Sequence, residues 1–155
     1  VVVMGIAAIR AEFIAAVRSV APTIDETLPF VCREDGTGAI GYGGLDLLQP
    51  DTETRHFTAI VGTLPVWDEN NGCYLVATLE VLIVYRADGD YVLSDDMMAS
   101  DAGLIQYAMR QPSVWRSAET IHPEEPPSVE EIETEDGHLA IRVMRLPYRV
   151  TYREC

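Results

Sequence analysis

Six apolar residues at every second position, Leu75, Ala77, Leu79, Val81, Ile83 and Tyr85, constrain this chain more than any other feature. Alternation of that length specifies a strand with one face on a core, so the fold must contain a sheet. The period then changes. After the turn-forming Ala87-Asp88-Gly89-Asp90, the residues Met97, Met98, Leu104, Ile105, Ala108 and Met109 recur at helical spacing. Ser94 is placed to cap the free N–H groups of that helix, with Asp95 and Asp96 at the positive end of its dipole. Pro112 stops it. The block is rich in packing information and carries no catalytic signature.

A first amphipathic helix is expected over Ile6–Val20, where Ile6, Ile9, Phe13, Val17 and Val20 share one face. Leu28–Cys32 reads as a short strand. Glu34–Arg55, with six scattered elements of Gly and Pro among Asp and Thr, reads as a long mobile loop, a length that in compact domains usually carries function or disorder. Phe57–Trp67 reads as a strand, and the Asn71-Gly72 dipeptide after it is a strong hairpin signal. Val114–Thr120 is expected as a further short strand. Glu119–Asp136 holds eight acidic residues and no basic ones, and with its prolines reads as an acidic linker.

The last segment, His138–Arg153, switches phase. Leu139, Ile141 and Val143 have one parity, while Leu146, Tyr148, Val150 and Tyr152 have the other. A single flat strand cannot place both sets on one core, so a β-bulge near Arg145-Leu146-Pro147 is expected. Pro147 lacks a ladder donor, which predicts an edge strand. The sum is one α+β domain over residues 1–155, an antiparallel or mixed sheet with two amphipathic helices packed on one face.

A chain of 155 residues with 48% hydrophobic content can bury a full core. No apolar run approaches the ~20 residues a spanning helix needs. The N-terminal stretch lacks the basic region of a secretory signal, and Met4 fits a natural start preceded by three added valines. Net charge is −14, and all 11 basic residues are arginine, which disfavours nucleic-acid binding. Cys32, Cys73 and Cys155 lack metal-ligand spacing and read as thiols of a reducing compartment.

No catalytic, cofactor-binding or metal constellation emerges. His56, His122 and His138 each have a plain structural reading. Ser94-Asp95-Asp96 with Asp101 lacks calcium-loop spacing. The Gly36–Gly44 stretch lacks the Gly-Lys-Ser/Thr ending of a phosphate loop. An enzyme is not expected.

The order of elements nevertheless resembles a known family. The amphipathic Ile6–Val20 segment is followed by the strand Thr78-Leu79-Glu80-Val81-Leu82-Ile83-Val84-Tyr85-Arg86. The helix entry Ser94-Asp95-Asp96 runs on through Leu104-Ile105, and the chain closes on Leu146-Pro147-Tyr148-Arg149-Val150-Thr151-Tyr152. This pattern is similar to the tail terminator (tail completion) proteins of long-tailed bacteriophages, and other head–tail joining, neck and minor tail proteins share much of it. The resemblance implies a structural virion protein that forms a ring, six subunits being the expected number, at the head-proximal end of the tail tube. Its partners would be the tube protein, a head-closure protein and further copies of itself, with DNA passing through unbound, no membrane and no cofactor. It would be assembled in the host cytoplasm. Glu124, Glu125, Glu130, Glu131 and Glu133 are then candidates for the lumen or its rim. Arg145, Pro147, Arg149, Thr151 and Arg153 are candidates for an edge strand at the subunit interface. The rival of another class is an acidic DNA mimic that inhibits a nucleic-acid enzyme.

Overall fold

In the computed structural model, described over residues 5–32, 55–86, 91–111, 115–133 and 140–154, two helices and six strands follow one another. Helix α1 is Ile6–Ser19, and strand β1 is Phe30–Cys32. Strands β2, Arg55–Asp68, and β3, Asn71–Arg86, form a long hairpin. Helix α2 is Tyr91–Met109. Strands β4, Thr120–Pro123, β5, Ser128–Glu133, and β6, Ala140–Arg153, complete one sheet. The sheet order is β1-β2-β3-β6-β4, with β5 also on β6, and only β1 runs parallel to its neighbour. The α+β fold with a mixed sheet is therefore as the patterning requires.

The alternation of β3 does what its period dictates. Leu79, Val81, Ile83 and Tyr85 point to the helix-bearing face and are buried against Ile9, Phe13 and Val17 of α1 and Met97, Met98 and Ile105 of α2. Each such side chain contributes about 1.5–3 kcal/mol on burial. Val20 in extended conformation ends α1, two residues ahead of Pro22.

The phase switch in β6 has another cause than a bulge. Residues Tyr74–Arg86 of β3 pair with Ile141–Arg153 of β6 in one unbroken register. Met144, Leu146, Tyr148, Val150 and Tyr152 enter the main core, while Ile141 and Val143 pack with Leu82 and Val84 on the opposite face, beside Ile60 and Ile132. The sheet is buried on both faces at one end, so both parities find an apolar partner without a change of register. The irregularities lie instead in β2, between Val61 and Thr63, Thr63 and Val66, and Trp67 and Asp68. At the first of these, a Cβ on Gly62 would stand 3.1 Å from Glu80 Cγ, a close approach that glycine accommodates.

Four further expectations are corrected. Asp68 pairs with Asn71, so the hairpin turns at Glu69-Asn70, closed by the Asn70 N–H to Asp68 Oδ1 at 2.9 Å, and Asn71-Gly72 opens β3. Helix α2 begins at Tyr91, which leaves Ser94, Asp95 and Asp96 inside it rather than at its cap. The short strand expected at Val114–Thr120 lies instead at Thr120–Pro123. The acidic segment is no free linker, because most of it forms β4 and β5 on the flank of β6. The glycine-rich loop 34–54 lies outside the described residues.

Candidate functional site

The final strand is not an edge. Strand β6 has β3 on one side and β4 and β5 on the other, so Arg145, Pro147, Arg149, Thr151 and Arg153 cannot offer a free backbone edge. Their shared parity puts them on one face, opposite the helices. Pro147 is tolerated inside the sheet by its place. Its carbonyl accepts from Glu124 N–H at 3.0 Å, so its missing N–H falls on the same side, where β4 has ended at Pro123 and β5 has not begun. Arg145 Nε lies 3.7 Å from Glu80 Oε2, while Arg149 and Arg153 are exposed.

The proposed lumen carboxylates fall on two elements. Glu124 and Glu125 are exposed in the turn after β4, and Glu130 and Glu131 are exposed on β5. Glu131 is already engaged, since its Oε1 lies 3.4 Å from Arg142 Nε. Arg142 also bonds Ser94 Oγ at 3.0 Å and Asp95 Oδ1, which explains why Ser94 is buried within α2. The side chain of Glu133 lies outside the described residues.

The true edges are elsewhere. Strand β1 covers only Arg55–Phe57 of β2, and α1 reaches over the next stretch, where Arg10 Nε donates to Ala59 O at 2.5 Å. Beyond Ala59 no described residue pairs with the outer side of β2. Along that open stretch Leu64 is 79% exposed, Val66 63% and Trp67 56%, values that single out a contiguous apolar edge. The opposite sheet edge is β5, where Val129 is exposed beside Glu130 and Glu131. Sequence patterning missed the β2 edge because Phe57–Trp67 reads as an ordinary strand. The signal available was Gly62 and Pro65, residues typical of edges.

Arg55 is the largest fully buried side chain among the described residues. Its Nε donates to Asp101 Oδ2 at 2.7 Å, and its terminal nitrogens donate to the carbonyls of Ile24, Asp25 and Leu28. Asp25 has a left-handed φ of 51°, which aims that turn at the guanidinium. Tyr85 donates to the same Asp101 oxygen at 2.7 Å. Burial pushes the Asp101 carboxyl above its ordinary range, against the pull of Tyr85 and Arg55. Burial, reinforced by the Asp101 charge, holds the Tyr85 phenol well above its ordinary value. With every strong donor spent on structure, this cluster clamps the fold and has no approach for a substrate.

His56 is buried in β2, His122 is exposed in β4, and His138 lies outside the described residues. His56 and His122, on strands separated by β3 and β6, are not brought together. Among the described residues no three His, Cys, Asp or Glu side chains converge on a point a metal could occupy, and no helix is long and apolar enough to cross a membrane. Cys32 keeps its thiol. Cys73 is disulfide-bonded, which corrects the thiol reading, and its partner lies outside the described residues. Glu154 N–H bonds Cys73 O at 3.0 Å, so the end of β6 runs beside it. No protein-family model matches the chain, and comparison with curated proteins returns no match.

Proposed function

We propose that the protein is a self-assembling structural subunit, and specifically a tail terminator of a long-tailed bacteriophage that closes the head-proximal end of the tail tube. The observation that carries this reading is the apolar edge of β2 at Leu64, Val66 and Trp67, with a second edge at β4 and β5 on the far side of the same sheet, neither paired with a further strand among the described residues. Two different edges on one subunit favour head-to-tail contact, and head-to-tail contacts that close produce a ring without free edges. An acidic ring lets DNA pass, since like charge suppresses phosphate contacts. The rim candidates remain Glu124, Glu125, Glu130, Glu131 and Glu133, of which Glu131 is engaged by Arg142 and the side chain of Glu133 lies outside the described residues. The same reading in coarser form covers other neck and joining proteins.

The rival DNA mimic needs carboxylates along one face. Glu130 pairs with Val143 and Glu131 with Arg142, so these two point to opposite faces of the sheet.

Native mass spectrometry of the protein, alone and with tail tubes, tests the assembly step. A closed ring is expected, and the V66K/W67E variant should remain folded and monomeric. Electron microscopy of particles made without the protein tests the terminator role. Tubes of uncontrolled length are expected, and tails of normal length would overturn it.

A further inference from the structure

Strand β4 is last in the sheet order, and a cleft of about 640 Å³ lies between it and the end of α2. The cleft walls include Met109, Trp115, Ala118 and Ile121, and Arg110 and Glu119 supply charge. Trp115, Ala118 and Ile121 pack on the main core, so the cleft opens on the helix-bearing face. Trp115 Nε1 donates to Met109 O at 2.8 Å, which fixes the indole as a wall. Glu124 N–H bonds Pro147 O, so by alternation Ile121 turns its own N–H and C=O away from β6. No further strand meets them there among the described residues.

The apolar stretch of β2 stands level with β4 across the sheet. Val66 pairs with Val76, Val76 with Thr151, and Thr151 with Thr120. Thr63 reaches His122 in the same way, through Thr78 and Arg149. Each step is antiparallel, so β2 and β4 run in opposite directions. Continuing the sheet from β4 of one copy to β2 of another therefore makes an antiparallel pair with no slide along the strands. A head-to-tail repeat without slide can close into a ring, whereas one with slide winds into a filament.

Trp67 pairs with Leu75, which packs on the main core, so its indole lies on the helix-bearing face. Leu75 in turn pairs with Tyr152, next to Thr151, which sets Trp67 level with Glu119. An exposed indole on one edge thus matches, in level and in face, an apolar cleft on the other. The indole N–H needs an acceptor once buried, and Glu119 in the cleft wall supplies a carboxylate. We propose that Trp67 of one copy seats in the α2–β4 cleft of the next, beside a strand pair formed by β2 and β4. The contact rests on the self-assembling subunit proposed above and names the two surfaces it joins.

Trp67 is replaced by the photo-cross-linker p-benzoyl-L-phenylalanine in a mixture of unlabelled and heavy-nitrogen protein, alone and on tail tubes. Cross-links between unlabelled and heavy chains are expected to map to Met109, Trp115 or Ile121. W67A should keep its Tm and weaken subunit association by about thirtyfold or more, read by native mass spectrometry across a dilution series. A118W fills the cleft, and alone it should not assemble. Mixed with W67A it should give a one-to-one pair, because one Trp67 and one open cleft remain. Cross-links to β2 of another copy, a ring without cleft cross-links, or a mixture that does not pair would overturn this contact and leave self-assembly standing. A protein monomeric throughout, with no cross-link between chains, would overturn the self-assembling reading and this contact together. If A118W fails to fold, the cross-link map decides.

Discussion

Arg55 Nε meets Asp101 Oδ2 at 2.7 Å with both side chains almost wholly buried, which ties the start of β2 to the middle of α2. The remaining Arg55 donors take three carbonyls of the α1–β1 connector, and its guanidinium stands 5.6 Å from the Phe30 ring centroid. One side chain thus fixes the relative position of four elements.

Breaking that pair on one side strands a buried cation. D101N should cost about 3–5 kcal/mol in urea denaturation, because Arg55 loses its counter-charge while keeping its desolvation. R55M/D101L should be less destabilised than either single variant, since apolar replacement removes both buried charges. A double variant whose loss equals the sum of the two singles would show that the charges act independently.

Alkaline stability follows from the tyrosines. Tyr85, Tyr148 and Tyr152 all have phenols raised above their ordinary value, each chiefly by burial. A folded pKa above the unfolded one gives stability that is complete below the unfolded pKa of 10.0 and is lost as pH rises above it. Tyrosinate absorbance should therefore rise in two stages, with the buried phenols ionising only as the protein unfolds. Y85F should soften the loss above that pH, while costing about 1–3 kcal/mol at neutral pH through the lost hydrogen bond to the buried Asp101 carboxylate.

Proline is tolerated in β6 at position 147, between the stretches that pair with β4 and β5. P147A should change stability by no more than about 1 kcal/mol, because the regained N–H faces the junction of β4 and β5. V150P, in the middle of the β3 and β4 ladders, should cost about 3 kcal/mol or more. Thermal unfolding of the two variants checks the contrast, and equal losses would contradict the junction geometry.

The Cys73 disulfide should contribute about 2–4 kcal/mol. C73S, and the unaltered protein under reducing agent, should lose the same amount in chemical denaturation. Cys32, a thiol in β1, gives a control: C32S should respond to reducing agent as the unaltered protein does.

How far the chain could be read from its residues depends on how local each cause is. The strand through Leu75–Tyr85 and both helices were legible because period and phase are written into neighbouring side chains. Ser94 was misread as a cap because its hydroxyl and Asp95 answer to Arg142, a residue 48 and 47 positions away. The acidic stretch looked like a linker because Val129 and Ile132 are too few to declare a strand. Its pairing is supplied by β6, and Ile132 closes a core made by Leu82, Val84, Ile141 and Val143.

The alternation from Leu75 to Tyr85 by itself determined that a sheet exists and which of its residues face a core, and the helical spacing of Ile6–Val20 and Met97–Met109 supplied the helices. It also left the chain without a catalytic pattern. Which strand lies at an edge was decided only by tertiary pairing. Pro147 taken alone marks β6 as the edge, yet its missing donor falls in a gap between two partner strands, and β2 carries the open edge instead. A side chain's periodicity is a property of its own strand. An edge is a property of what the rest of the chain leaves uncovered.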